Sequence, residues 1–264
     1  MNAHPHDTLP KVAIGSRLKG IKNVTTLGVK PNLEDYPEDQ RRLLLDSPKI
    51  YYPTSYYAFD LALLGKELFP SLSTYYYAGD KIRQFSLFSL LKLPQPRTRI
   101  YYPGRFHFIR KDFSYPFVAK IPRGMDSGRG VFLIRNDTDL DRYLSVSRVA
   151  YIQEYLPIDG DIRVVIIQNR VILAYWRKAA EGEFLSNVAR GGSIDFHSVP
   201  SYAVDLAVTA ARRCEFNDVG VDIIVHEGQS YILEANMRFG RKGFQQAGID
   251  VKSVYERFLE QGII

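Results

Sequence analysis

The stretch Gly220–Asn236, Gly-Val-Asp-Ile-Ile-Val-His-Glu-Gly-Gln-Ser-Tyr-Ile-Leu-Glu-Ala-Asn, constrains this chain most. Two apolar runs meet at Glu227-Gly228, a dipeptide suited to a tight turn, so the stretch reads as a β-hairpin. Residues two apart share one face of a strand, and hairpin strands lie about 4.8 Å apart. Glu234 and Asn236 therefore point the same way, and Asp222 on the neighbouring strand can face them. Carboxylates inside Val/Ile/Leu strands carry a desolvation cost unless they are paired or bind a metal. Two carboxylates and an amide oxygen are hard donors, a set that suits Mg2+ also holding phosphate oxygens. An acidic strand end facing water is the alternative that the spacing leaves open.

With 264 residues, 45% hydrophobic and 24% charged, the chain has material for a large core and two or three subdomains. Its single cysteine, Cys214, excludes an intrachain disulfide framework and a cysteine-based zinc site; a helix core is its expected place. No apolar run reaches 18 residues, and the start Met-Asn-Ala-His-Pro-His lacks a signal peptide's charged and apolar regions, so a cytoplasmic enzyme is the expectation. The net charge of +6 favours anionic ligands such as nucleotides. Basic residues are scattered and the 18 Tyr and 15 Phe fall in core-like segments, which does not describe a nucleic-acid surface.

Strand and helix patterns alternate without repeats. Residues 1–35 read as polar and irregular apart from Lys11–Ser16. Lys49-Ile-Tyr-Tyr-Pro-Thr reads as a strand end entering a turn, and Ala58–Leu68 has helical apolar spacing. Asp80 is a good N-cap for a helix with Ile82, Phe85, Phe88 and Leu91 on one side, ended by Pro94-Gln-Pro96. A domain joint falls near residues 76–80.

Tyr115-Pro-Phe-Val-Ala-Lys120-Ile121 reads as a buried strand ending in a lysine. It runs into Pro122-Arg-Gly124-Met-Asp-Ser127-Gly128-Arg-Gly130 and then a strand over Val131–Ile134. A glycine-rich loop between antiparallel strands can close over phosphates, with backbone N–H groups turned to the anion and Lys120 adding a point charge. A flexible hairpin loop without a ligand accounts for the same residues. Asp137–Leu144 is a short helix. Ala150-Tyr-Ile-Gln153-Glu154-Tyr155-Leu156 is a strand ending in a polar connection of the kind that can hold a base edge, or in an ordinary junction. Asp161–Gln168 and Val171–Arg177 form strands about Asn169-Arg170. The polar loop Lys178–Gly192 carries amides, charges and a double glycine, and long loops on a strand scaffold are commonly functional. Ser201–Phe216 reads as an amphipathic helix packing Val204, Leu206, Val208 and Ala211, and Val251–Gln261 as a terminal helix. His4, His6, His107, His197 and His226 lack metal-ligand spacing.

The order of these pieces resembles the ATP-grasp superfamily, and within it most closely the RimK-type glutamate ligases. The likeness spans about residues 75–264. It rests on the Asp80-Lys81 helix, the strand to Lys120 with its glycine-rich hairpin, Gln153-Glu154-Tyr155, the Asp161-Ile-Arg163 strand, Glu181-Gly-Glu-Phe-Leu-Ser186-Asn187-Val-Ala-Arg190-Gly-Gly, Gly220-Val-Asp222 and Glu234-Ala-Asn236. The fold implied is α/β (α+β): a preceding α/β domain over 1–76 and an ATP-grasp domain over 77–264. Within the latter, 100–150 would be a small subdomain with the glycine-rich lid and 151–264 a large subdomain with the metal site.

By that resemblance, Lys81 and Lys120 contact phosphates, and Ser127, Gly128 and Gly130 close over them. Gln153, Glu154 and Tyr155 form the adenine hinge, and Asp161 contacts the ribose. Ser186 and Asn187 lie near the phosphates, and Arg190 stabilises transition-state charge, so that Lys120, Asn187 and Arg190 form the catalytic set. Asp222, Glu234 and Asn236 ligate Mg2+, with Mn2+ as a substitute. The implied activity is ATP-dependent joining of a carboxylate to an amine or amino acid through an acyl phosphate, in a protein compatible with homo-oligomers. Arg238, Arg241 and Lys242 follow the metal strand directly and suit an acidic substrate, since Arg holds carboxylates through two hydrogen bonds; a solvated basic turn is the alternative.

The chain departs from the glutamate ligases in three places. Met237-Arg238-Phe239-Gly240-Arg241-Lys242 replaces a Ser-Pro-Gly type turn, Leu185 stands at a usually basic position, and Ala180 stands for a lysine. By the resemblance they sit near the acceptor and phosphate sites and leave a second reading, a nucleotide-binding regulatory or scaffolding protein without ligase turnover.

Overall fold

The computed structural model describes residues 10–124, 130–179 and 192–264. The described chain is mixed α/β and divides into two compact units, one of residues 1–76, 215–218 and 244–264, the other of residues 77–214 and 219–243. Glycine-rich positions Ser127 and Gly128, and loop positions Ser186, Asn187 and Arg190, lie outside the described residues.

The first unit is built on a parallel sheet. β1 (Lys11–Ala13), β2 (Val24–Thr26), β3 (Lys49–Tyr51) and β4 (Glu67–Phe69) run in the order β2-β1-β3-β4, all pairs parallel. Helix α1 (Glu38–Asp46) connects β2 to β3, α2 (Thr54–Leu63) connects β3 to β4, and α3 (Leu72–Tyr76) follows β4. Val12 and Ile50 of the sheet, with Ile14 just past β1, pack with Tyr36, Leu44 and Leu61. Such strands are apolar on both faces because helices cover the sheet. The structure departs from the sequence expectations at three points. A strand, β2, lies in the stretch read as irregular. The helix expected at 58–68 begins at Thr54, after Pro53, and ends at Leu63. Glu67 and Leu68, the end of that expected helix, belong to β4 instead.

The second unit holds two further sheets. α4 (Lys81–Leu90) is capped by Asp80, whose side chain accepts from the amides of Ile82 and Arg83. β5 (Thr98–Tyr101), β6 (Phe117–Lys120), β7 (Val131–Ile134) and β8 (Ala150–Glu154) form a sheet in the order β5-β8-β6-β7. Between them lie α5 (Ile109–Asp112) and α6 (Asp137–Val146). Phe117, Ala119, Ile134 and Ile152 pack with Leu140 and Tyr143 as its core.

The other sheet has the order β11-β10-β9-β12-β13: β9 (Gly160–Ile167), β10 (Arg170–Lys178), β11 (Ser193–Asp195), β12 (Asp218–His226) and β13 (Gln229–Asn236). β9 is buried throughout. α7 (Ser201–Arg213) packs on β9, β10 and β13. The side of α7 that is buried is Ala203, Ala207, Ala210 and Ala211, whereas Val204, Leu206 and Val208, expected as its packing face with Ala211, are half-buried. Small residues let helix and sheet approach closely. Cys214 is buried just beyond the last turn of α7.

The chain then forms α8 (Lys242–Gln246) and α9 (Val251–Glu260), and α9 belongs to the first unit. In that unit Asp218 is 1% exposed and accepts from Tyr52 Oη at 2.7 Å and from Tyr255 Oη of α9 at 2.9 Å. No helix among the described residues is long and apolar enough to cross a membrane.

Candidate active site

The β12–β13 hairpin carries the three residues that the sequence singled out. Glu227 and Gly228 both have positive φ, 49° and 75°, which is the geometry of a two-residue turn whose twist matches the strands. In the resulting register Asp222 lies opposite Glu234 and Gly220 opposite Asn236, with an irregularity after Asp222. Asn236 Nδ2 donates to Asp222 Oδ2 at 2.9 Å and to Glu234 Oε1 at 3.0 Å, so one amide joins both carboxylates. Its oxygen and nitrogen exchange by rotation about χ2.

Two cations reach Glu234 from other elements. Lys81, in the first turn of α4, has Nζ 3.4 Å from Glu234 Oε2. Its placement is fixed from two directions. Gln84, one turn along α4 and 4% exposed, donates through Nε2 to the carbonyl oxygens of Ala235 and Tyr77, and its Oε1 accepts from the Ala235 amide, each at 2.9 Å. This matches the side-chain amide to a peptide edge of β13. Arg123 Nε donates to the capping Asp80 at 2.7 Å, and the Lys81 amide donates to the Pro122 carbonyl at 3.0 Å. Lys120 ends β6, is 7% exposed and has Nζ 5.9 Å from the centre of the Tyr151 ring. Burial pushes the Lys120 ammonium down to about 8, with Glu234 pulling the other way. Burial alone would raise Glu234, but Lys81 and Lys120 hold it down at about 2.

Asp222 is 2% exposed and is gripped by two guanidinium groups. Arg163 of β9 donates through Nε to Oδ1 and through Nη2 to Oδ2, the latter at 2.8 Å. Arg177 of β10 has Nη2 2.8 Å from Asp222 Oδ2. Gly220 makes room for this grip: a Cβ there would meet Arg163 Cδ and Phe239 Cβ, each at 2.9 Å. Arg177 also holds both oxygens of Asp161. Burial raises the Asp161 carboxyl and the Arg177 guanidinium opposes it. No local sequence pattern marks Gln84, Arg123 or Arg177 for these contacts. For Arg163 a signal existed: an arginine two residues after an aspartate within an otherwise apolar strand.

Gln153, 3% exposed, donates to Thr98 Oγ1 at 2.9 Å, and Glu154 Oε1 accepts from the Arg97 amide at 2.6 Å. Tyr155 follows the end of β8 and is half-buried. The Gly130 carbonyl accepts from the Ile121 amide at 2.7 Å and closes the described base of the glycine-rich hairpin. Arg238, Arg241 and Lys242 are exposed just beyond β13.

The donor set fits a hard divalent cation. Two carboxylates and an amide lie within hydrogen-bond reach of one another, and Glu234 is held ionised. Among the described residues no group of three or more His, Cys, Asp or Glu could hold a metal, so a cation here would depend on the amide and on ligand oxygens. Lys81, Lys120, Arg163 and Arg177 face three carboxylates, leaving a cationic excess suited to an anion.

A fold of this kind, with paired lysines, a glycine-rich hairpin and a carboxylate–carboxylate–amide strand end, defines an ATP-grasp protein. Residues 78–257 match the RimK-like ATP-grasp domain, and the chain belongs to that family. It is 31% identical over 191 residues to a probable alpha-L-glutamate ligase of Marinomonas sp. (strain MWYL1), covering 69% of this chain and 63% of that protein. A probable alpha-L-glutamate ligase of Vibrio vulnificus (strain YJ016) is 30% identical with the same coverage. The matched region thus spans somewhat less than two thirds of these relatives. Among solved structures, the RimK domain ATP-grasp protein of Sphaerobacter thermophilus DSM 20745 superposes with a TM-score of 0.67 at 15% identity, over 94% of this chain and 98% of that one. The D-alanine–D-alanine ligase of Bacillus anthracis, complexed with ATP, gives 0.67 at 15% over 95% of each chain. At such identities the likeness is one of fold.

Proposed function

We propose that the protein is an ATP-dependent carbon–nitrogen ligase that joins a carboxylate to an amine, with an amino acid such as glutamate as one partner. The observation that carries this reading is the convergence of Lys81, Lys120, Arg163 and Arg177 on Asp222, Glu234 and Asn236 of the β12–β13 hairpin. Asp222, Glu234 and Asn236 would hold Mg2+, which when bound neutralises charge on the nucleotide phosphates. Lys81 and Lys120 donate to phosphate oxygens and keep the triphosphate in line with the acceptor. An acceptor carboxylate oxygen attacks the γ-phosphorus, ADP leaves, and an acyl phosphate results. The amine then attacks the acyl carbon, phosphate departs, and the amine loses a proton. No side-chain nucleophile is needed, so positioning and charge stabilisation are the protein's contribution. Gln153, Glu154 and Tyr155 supply the base edge contacts. Asn187 and Arg190 of the loop, and Arg238, Arg241 and Lys242 beyond β13, supply charge to the reacting groups and to an acidic acceptor.

A screen of amino acids and peptides for ADP release tests this. Release should require both a carboxylate and an amine, and should fall by roughly 100-fold or more in Glu234→Gln, the scale on which a missing electrostatic group acts. ATP binding with no ADP release across the screen would favour the regulatory reading, for which Leu185 at a usually basic loop position is the supporting feature.

A further inference from the structure

Asp161 and Arg177 stand opposite each other on β9 and β10. On the same face, two residues along β9, is Arg163, and on the adjacent strand β12 is Asp222. The four side chains alternate in charge along a row: Asp161, Arg177, Asp222, Arg163. Their side chains are 6%, 14%, 3% and 8% exposed. Arg177 Nε donates to Asp161 Oδ1 at 2.8 Å, and its Nη2 is shared between Asp161 Oδ2 and, at 2.8 Å, Asp222 Oδ2.

A buried ion pair gains little over an apolar pair of the same volume, because removing both charges from water offsets their attraction. Packing alone therefore gives no reason for a carboxylate at position 161. What Asp161 does fix is the plane of the Arg177 guanidinium. With Nε and one face of the fork committed to Asp161, Arg177 has one direction left for Asp222. Each oxygen of Asp161 accepts one bond from Arg177, and a carboxylate has about four lone-pair sites, so this grip does not decide the ribose contact that family resemblance implies for it.

We propose that Asp161 is a positioning residue: acting through Arg177, it sets the orientation of the Asp222 carboxylate and thereby the affinity of the Asp222–Glu234–Asn236 set for a divalent cation. This rests on the reading of those three residues as the cation set. Groups that orient a ligating carboxylate by hydrogen bonding change metal affinity or activity by roughly 10–100-fold when removed.

The experiment is a titration of the full chain with Mn2+ alone, followed by the electron paramagnetic resonance of free and bound Mn2+. Wild type is compared with Asp161→Asn, Arg177→Gln, the double variant and Asp222→Asn, each checked for fold by circular dichroism. Asp161→Asn and Arg177→Gln should each weaken Mn2+ binding about 10-fold, and the double variant should be no worse than Arg177→Gln, because Asp161 acts only through it. Unchanged Mn2+ affinity in Asp161→Asn, or losses that add in the double variant, would overturn the proposal. If the single variant does not fold, the double variant, which removes one charge of each sign, carries the test: wild-type Mn2+ affinity in it is the overturning result.

Two controls separate the alternatives. Asp222→Asn binding Mn2+ as wild type does would mean that the cation reading itself fails. Asp222→Asn losing Mn2+ while Asp161→Asn keeps it would sink the positioning role alone. Discrimination between ATP and 2′-deoxy-ATP should survive in Asp161→Asn; its disappearance would establish the ribose contact instead.

Discussion

Asp218 is a carboxylate that the first unit keeps from water. Burial raises its carboxyl to about 6, with Arg17 and the donated hydroxyls of Tyr52 and Tyr255 pulling it back. Between the usual value of 3.8 and about 6, the folded protein therefore binds a proton here that the unfolded chain has released. Stability falls as pH rises through that window and is level above it. A shift of this size corresponds to a difference on the order of 3 kcal/mol between pH 3 and pH 7. The first prediction is that amide exchange in α9, corrected for its intrinsic pH dependence, reports a smaller opening free energy at pH 6.5 than at pH 4. Asp218→Asn should remove most of that slope. An unchanged slope in the variant would assign the pH dependence to another group. The sequence shows Asp218 only as a polar residue before a strand. Its partners come from positions 52 and 255, and no local pattern reports contacts made at such separations.

At the scale of elements, the junction of α4 with β13 positions Lys81, and Gln84 makes it. Replacing Gln84 with Leu keeps the volume but leaves the Ala235 N–H and C=O without their partner, at a cost of about 1–3 kcal/mol for each buried group. The expected outcome is a protein that still folds but melts earlier and has a raised KM for ATP, since Lys81 loses its fixed distance from Glu234. A KM within twofold of wild type, with the melting point lowered, would mean that α4 is held by other contacts. This scale also shows what the sequence could reveal. The hairpin was legible because its signals are local: a turn dipeptide with positive φ, and a period of two that puts Asp222, Glu234 and Asn236 on one face. The Asp80 cap and α4 were legible for the same reason. The Arg163–Asp222–Arg177 grip was not, because it depends on the register of β9 against both β10 and β12, which nothing in one strand encodes. α7 misled because large apolar residues dominate a helical pattern, while the sheet selects alanines for close approach. β4 was hidden in a run that also has helical spacing.

For the whole molecule, the division into two units means that a ligand held by one of them need not stabilise the other. A ligand selective for the native state stabilises what it binds by RT ln(1 + [L]/Kd), about 2.7 kcal/mol at a hundredfold excess over Kd. The only tryptophan, Trp176, lies on β10 between Tyr175 and Arg177, with Nε1 donating to the Ser198 carbonyl at 3.3 Å, so its fluorescence follows the unit that carries the proposed nucleotide site. Amides of α9 follow the other unit. Millimolar Mg-ATP should raise the melting midpoint seen by Trp176 by several degrees. Glu234→Gln should reduce that shift strongly, because it removes one carboxylate of the cation set and the partner of Lys81. Exchange of the α9 amides below the transition should respond less than that of β12 and β13. If Mg-ATP shifts neither probe, the nucleotide reading fails. An equal shift in wild type and Glu234→Gln would place the nucleotide away from the hairpin, because the charge at Glu234 would then have no part in holding it.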